Sequence, residues 1–134
     1  DKVAPGEQQP ESDHEFAGSE TEAGVNFGRH WRHAAGWFGY RLNDPRGEAR
    51  YLRIDYFGAD RGRTFRIEFN GVVLDEVTLT GERGPYFYSV DYPLTEAALA
   101  GREDGKHALR FVAAEGSVAG GIYGVRLLRA LPEQ

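Results

Sequence analysis

Cysteine is absent from this chain, which excludes disulfides and thiolate-held metals. Compartment stays open, because a domain of this size folds in an oxidising space without bridges. Methionine is absent too, even at position 1, so the chain reads as an excised piece of a larger protein. No apolar run approaches the length of a membrane span, and no signal-peptide pattern occurs. A concentrated basic face is also missing. The net charge is −5 and arginines are interleaved with acids, which argues against a nucleic-acid footprint and a polybasic membrane contact. The opening DKVAPGEQQP lacks apolar alternation and reads as a linker over residues 1–10, ahead of a module at 11–131 and a tail at 132–134.

Glycine and aromatic residues are plentiful, and the aromatics alternate with polar positions. Leu52, Ile54 and Tyr56 share one face of RYLRIDYFG, with Arg53 and Asp55 on the other. Phe65, Ile67 and Phe69 repeat the pattern in TFRIEFNG, so both segments predict half-buried strands. Asn70-Gly71 between that strand and VVLDEVTL predicts a hairpin, because a type I′ turn needs positive φ at both central residues. Further strands are expected at 85–93, 107–114 and 121–131, and the sheet is expected to open near His14–Ala17 and at 37–42. One short connecting helix is expected within 93–103, capped by Thr95 and ended by Gly101. Seven or eight strands with one such helix predict an all-β fold, a β-sandwich of the jelly-roll kind. With 134 residues it fits one domain with a self-sufficient core.

No catalytic constellation stands out. The acids alternate onto solvent faces, no Gly-x-Ser-x-Gly elbow occurs, and neither GADRGR nor AGGIYG follows the strand–glycine loop–helix order of a phosphate cradle. Both glycine stretches read as tight turns, with Gly62 taking positive φ. His30 and His33 lack the helical context of a metal pair. A structural calcium held by acids and carbonyls of ESDHEFAGSE (11–20) is the one metal the sequence leaves open. No other cofactor is expected.

Both tryptophans fall in GRHWRHAAGWFGY (28–40), among two histidines and two arginines. Aromatic rings stack on the apolar faces of sugars while flanking polar groups bond the hydroxyls. Arg29, His30, Trp31, Arg32 and His33 offer that combination from a long loop. Tyr123 joins them if the loop before the last strand meets this one, and Glu20 is a nearby acid. Trp37 begins an alternating strand and is expected in the core, with Trp31 at the mouth of the site. Tyr86, Tyr88 and Tyr92 share a face with Val90 and line either core or groove.

Three blocks carry a resemblance: ESDHEFAGSETEAGVNFGRHWRHAAGWFGYRL (11–42), YFGADRGRTFRIEFNG (56–71) and AGGIYGVRLL (119–128). Ser12, His14, His30-Trp31-Arg32, Ala34, Gly36-Trp37-Phe38, Tyr40, Tyr56-Phe57-Gly58, Asp60 and Ala119 through Arg126 carry it. In these residues the chain resembles the C-terminal β-sandwich module, of unknown function, appended to bacterial glycoside hydrolases of the β-L-arabinofuranosidase type. It departs from that pattern at Gly39 (usually serine), His33 (commonly aspartate) and Phe57 (commonly tryptophan).

The resemblance implies a galactose-binding-like jelly roll without catalytic residues, attached to a secreted or periplasmic degrader of plant polysaccharide. Two functions fit. One is a carbohydrate-binding module for arabinose- or galactose-containing glycans. The other is a structural module docked on the catalytic domain of its parent enzyme.

Overall fold

The computed structural model describes residues 1–131; the tail expected at 132–134 lies outside them. Strands β1 (Lys2–Val3), β2 (Ala17–Asn26), β3 (Arg29–Asn43), β4 (Tyr51–Phe57), β5 (Arg61–Phe69), β6 (Val72–Thr80), β7 (Phe87–Pro93), β8 (Lys106–Ala113), β9 (Ala119–Ile122) and β10 (Gly124–Leu128) form two antiparallel sheets. One runs β1-β10-β4-β7; the other runs β2-β3-β8-β5-β6, with β9 paired to β3. The expected sandwich is present.

The period of two explains how the sheets close. From the six-stranded sheet, Phe38, Tyr40, Leu42, Phe65, Ile67, Phe69, Leu109 and Phe111 point inward and are buried. From the other, Leu52, Ile54, Tyr56, Tyr92, Val125 and Leu127 meet them. Phe38 stacks on Phe111 at 4.9 Å between ring centres, and Tyr56 faces Phe65 across the gap at 6.5 Å. Each such ring contributes about 1.5–3 kcal/mol by leaving water.

Asn70 and Gly71 both take positive φ, 52° and 81°, and turn β5 into β6 as predicted. Asn70 does more. Its Nδ2 donates to the Ala98 carbonyl (2.7 Å) and to His107 Nδ1 (2.9 Å), and its Oδ1 accepts from the Ala108 amide (2.8 Å). His107 is wholly buried, so with Nδ1 accepting, its Nε2 donates to Asp44 at 2.8 Å. This chain of bonds ties together the loops at one end of the sandwich.

Four expectations need correction. Residues 1–10 are not a free linker: Lys2 and Val3 pair with Arg126 and Val125, and Val3 is buried. A second helix, α1 (Gln8–Asp13), joins the expected one, α2 (Glu96–Leu99), whose Thr95 cap accepts from the Ala98 amide at 3.1 Å. Pro10 sits in the first turn of α1, where an amide would have no intrahelical partner, so it does not break the helix.

The third concerns residues 29–36, which are not a loop. They form one continuous 15-residue strand with 37–43. The fourth follows from it. Along β3 the even positions from Ala34 to Leu42 face the core, so Trp37 faces outward, half-buried, with the Arg110 guanidinium 3.9 Å above its ring. The tyrosine face of β7 is divided: Tyr92 is buried, Tyr88 and Val90 are half-buried, and Tyr86 is exposed.

Candidate functional site

Strand alternation divides the expected residues. Trp31 and His33 share the outer face of β3, their rings 4.8 Å apart. The Trp31 ring lies across β2 at Gly24, where any side chain would run into the indole. His33 Nε2 faces the Glu22 carboxylate at 3.4 Å. With the hydrogen assigned to Nε2 on the strength of that contact, Nδ1 presents a lone pair. That Nδ1 is buried and has no hydrogen-bond partner.

Arg32 points the other way. It donates to both Glu11 oxygens, at 2.6 and 2.8 Å, and to Thr21 Oγ1, and its guanidinium lies 4.2 Å from the centre of the Phe16 ring. The buried Tyr40 hydroxyl donates to the same Glu11 carboxylate at 2.6 Å. Burial works to raise the Glu11 pKa, but the hydrogen bonds from Arg32 and Tyr40 outweigh it and hold the carboxyl below its ordinary value. Arg32 is thus a structural anchor whose donors are spent inside the fold. His30 is exposed on that same side of β3. Glu20 is exposed at a bulge in β2, with φ of 57°.

Of the β3 residues Tyr123 touches Arg29, whose Nη2 lies 3.5 Å from its carbonyl and whose guanidinium stands 5.9 Å from its ring. His33 is linked to it only through the glycines of the β9–β10 corner. A Cβ built on Gly121 would lie 3.5 Å from Tyr123 Cε1 and 3.6 Å from both Arg63 Nη1 and Asp60 Oδ2; one built on Gly120 would lie 3.2 Å from His33 Cβ. Asp60 and Arg63 pair loosely at 3.7 Å. Burial pushes the His33 imidazole down, reinforced by Arg63 and opposed by Glu22 and Asp60. Burial pushes Asp60 up against the pull of Arg63 and His33. Asn26 Nδ2 donates to the Tyr123 hydroxyl at 3.2 Å, and Tyr123 packs edge-on against Phe87. Phe27, at the tip of the β2–β3 hairpin, leans on Phe57 and is 73% exposed.

The result is an edge-of-sandwich cluster with an indole, an unpartnered imidazole nitrogen, a carboxylate and a guanidinium. It holds donors and acceptors beside apolar faces, which suits a polyhydroxylated ligand. Sequence reading missed Asp60 and Arg63 as members, because GADRGR looks like a turn and only the fold brings it beside β9. Glu22 was visible only through its register with His33.

The acids of 11–20 are dispersed rather than convergent. Glu11 bonds Arg32 and Tyr40, Asp13 accepts from Gln9, and Glu15 accepts from Lys106. Among the described residues no group of three or more His, Asp or Glu side chains is placed to hold a metal ion.

Residues 1–128 match the family DUF6805, whose function is unknown. The chain belongs to that family. No curated protein sequence matches it. Among solved structures, this DUF6805 domain is similar to a family 35 carbohydrate-binding module from Clostridium thermocellum, with a TM-score of 0.61 and 13% identity over 97% of this chain and 99% of that one. It is also similar to the Podospora anserina GH26-CBM35 β-(1,4)-mannanase, with a TM-score of 0.58 and 14% identity over 98% of this chain but 28% of that one. A third is the C-terminal CBM6 of LamC, a marine laminarinase from Zobellia galactanivorans, with a TM-score of 0.52 and 13% identity over 92% and 96%. At these identities the likeness establishes the fold.

Proposed function

We propose that this DUF6805 domain is a non-catalytic carbohydrate-binding module of a secreted or periplasmic plant-polysaccharide-degrading glycoside hydrolase. Its ligand is an arabinose- or galactose-containing glycan held at the edge cluster. The observation that carries this reading is His33 Nδ1, a buried acceptor with no partner, beside the Trp31 ring. A buried polar atom left unpaired costs about 1–3 kcal/mol, and a sugar hydroxyl would satisfy it while the pyranose or furanose face stacks on the indole. Asp60 and Arg63 supply one acceptor and one donor set within reach of the same corner. The likeness to family 35 and family 6 modules supports the same reading by analogy of fold.

Affinity electrophoresis through arabinan, arabinogalactan and pectic galactan tests it. The wild type is expected to be retarded in at least one gel, and Trp31→Ala and His33→Ala to run free while retaining the wild-type circular dichroism. Uniform free migration of the wild type overturns the reading.

The exposed Phe27 and Tyr86 favour a second reading, in which this end docks on the catalytic domain of the parent enzyme. Free migration in all gels, together with a lower melting temperature of the parent after deletion of the domain, selects it.

A further inference from the structure

On the outer face of the four-stranded sheet, register places Lys2 opposite Arg126, Arg126 opposite Arg53, and Arg53 opposite Asp91. Three cations thus stand in a row across neighbouring strands of a chain whose net charge is −5. Arg53 is neutralised by two hydrogen bonds to Asp91, at 2.8 and 2.9 Å. Lys2 and Arg126 are exposed, and neither has an ion-pair partner among the described residues. Like charges directly opposite one another destabilise a sheet, so this pair is a standing cost to the fold.

Beside the row lies a depression of about 220 Å³ lined by Lys2, Arg53, Asp55, Ser89, Gly124 and Arg126. Asp55 accepts from Ser89 Oγ at 2.5 Å and from Arg29 Nη2 at 3.2 Å. A carboxylate has about four acceptor sites, so two remain for a ligand. Gly124 is what keeps them open. It pairs with Asp55, and a side chain at 124 would collide with Asp55 Oδ2. Its backbone is not in the left-handed region, so the glycine answers a need for space; glycine inside a strand often marks the close approach of a ligand.

We infer that this depression is a second binding site, for an acidic sugar. The sugar carboxylate sits between Lys2 and Arg126, and its ring hydroxyls donate to Asp55 and meet the Ser89 hydroxyl. The cationic end and the Asp55 end are two strand positions apart, about 7 Å, a distance that one uronic-acid ring with its substituents spans. The mixture of charges sets the ligand class. A bare phosphate gains from the cations but is repelled by Asp55, and a neutral sugar leaves Lys2 and Arg126 unanswered. The inference rests on the carbohydrate-binding reading, with a site separate from the Trp31 edge.

Amide NMR titration of this chain with D-galacturonic acid, its methyl ester, galactose and inorganic phosphate tests it. Galacturonate is expected to shift the amides of Asp55, Gly124 and Arg126. Arg126→Gln loses one charge-assisted contact and should weaken binding about tenfold, and the methyl ester, which loses those to both Lys2 and Arg126, should weaken it further. Gly124→Val should abolish the shifts, and Trp31→Ala should leave them unchanged. Phosphate shifting these amides as strongly as galacturonate, or galacturonate leaving them unmoved, overturns the acidic-sugar site. The two proposals fail separately, since neutral-glycan retention depends on Trp31 and not on Arg126.

Discussion

Arg32 and Glu11 meet through two hydrogen bonds, at 2.6 and 2.8 Å, and so fasten the N-terminal helix α1 to the first part of β3. Both side chains are largely shielded, at 14% and 5% exposure. Removing either partner leaves the other buried and unpaired, which typically costs 3–5 kcal/mol, whereas an apolar replacement of the whole pair is far milder. Arg32→Ala is expected to destabilise the domain by about 3 kcal/mol, and Glu11→Met/Arg32→Met by less than either single change. Urea unfolding with a double-mutant cycle measures both; additive single effects would show that the pair acts as two separate groups.

Neighbours on β3 should behave oppositely. Phe38 is fully buried against Phe111, so Phe38→Ala is expected to cost about 3–5 kcal/mol. Trp37, though larger, lies outside under Arg110, and Trp37→Ala should cost about 1 kcal/mol. Thermal unfolding of the two variants side by side decides it. Equal losses would place Trp37 in the core after all.

His33 gives the stability a dependence on pH. Its folded pKa lies below the ordinary 6.5, chiefly because burial disfavours the imidazolium. The unfolded chain therefore binds the proton more readily, and stability must fall as pH drops from 6.5 toward the folded pKa. The contribution is complete above 6.5. His33→Gln is expected to flatten the profile between pH 7 and pH 5. Below 4.5 a further loss sets in, because the unfolded chain takes up the Glu11 proton there while the folded carboxyl, its pKa lowered, stays ionised. An NMR titration in which the His33 ring has its midpoint above 6.5 would contradict this assignment.

Protonation of His33 Nδ1 also turns the acceptor of the edge cluster into a donor. Retention of neutral glycans is expected to weaken below the folded pKa of His33, by roughly the tenfold that one lost hydrogen bond brings. Affinity gels run at pH 7 and at a pH below the His33 midpoint found by NMR show it, and retention that is equal at both removes His33 from the contact set.

Chelation should leave the fold unmoved. Within 11–20, Glu11 is held by Arg32 and Tyr40, Asp13 by Gln9 and Glu15 by Lys106, while Glu20 stands apart at the β2 bulge. The melting temperature with EDTA is expected to equal that with calcium. A drop on chelation would reveal an ion held by other groups, backbone carbonyls foremost.

Much of this architecture was legible in the sequence. Leu52, Ile54, Tyr56 and Phe65, Ile67, Phe69 announced their buried faces by alternation, and Asn70-Gly71 announced its hairpin. The stretch 29–36 did not, because its outward Trp31 and His33 and its inward Arg32 invert the usual polarity of a strand. Arg32 is inward only because Glu11, 21 residues earlier, waits there with a matching charge. Nor does local pattern say that Asp60 and Arg63 come to Gly121, a meeting made by two separate loops. Lys2 looked like linker because a two-residue strand is too short to show a period.

That two-residue strand has a consequence for how the chain is made. β10 lies between β1 and β4, so the four-stranded sheet lacks its central member until residues near 128 have been synthesised. Until then Leu52 and Ile54 have no β10 beside them, and Val3 has nothing to pair with. The nascent chain must hold its first strand in reserve for its last, and closure over that separation is slow, on the order of milliseconds to seconds for such sandwiches. Only once β10 is available, and at no earlier point, can this domain close its four-stranded sheet.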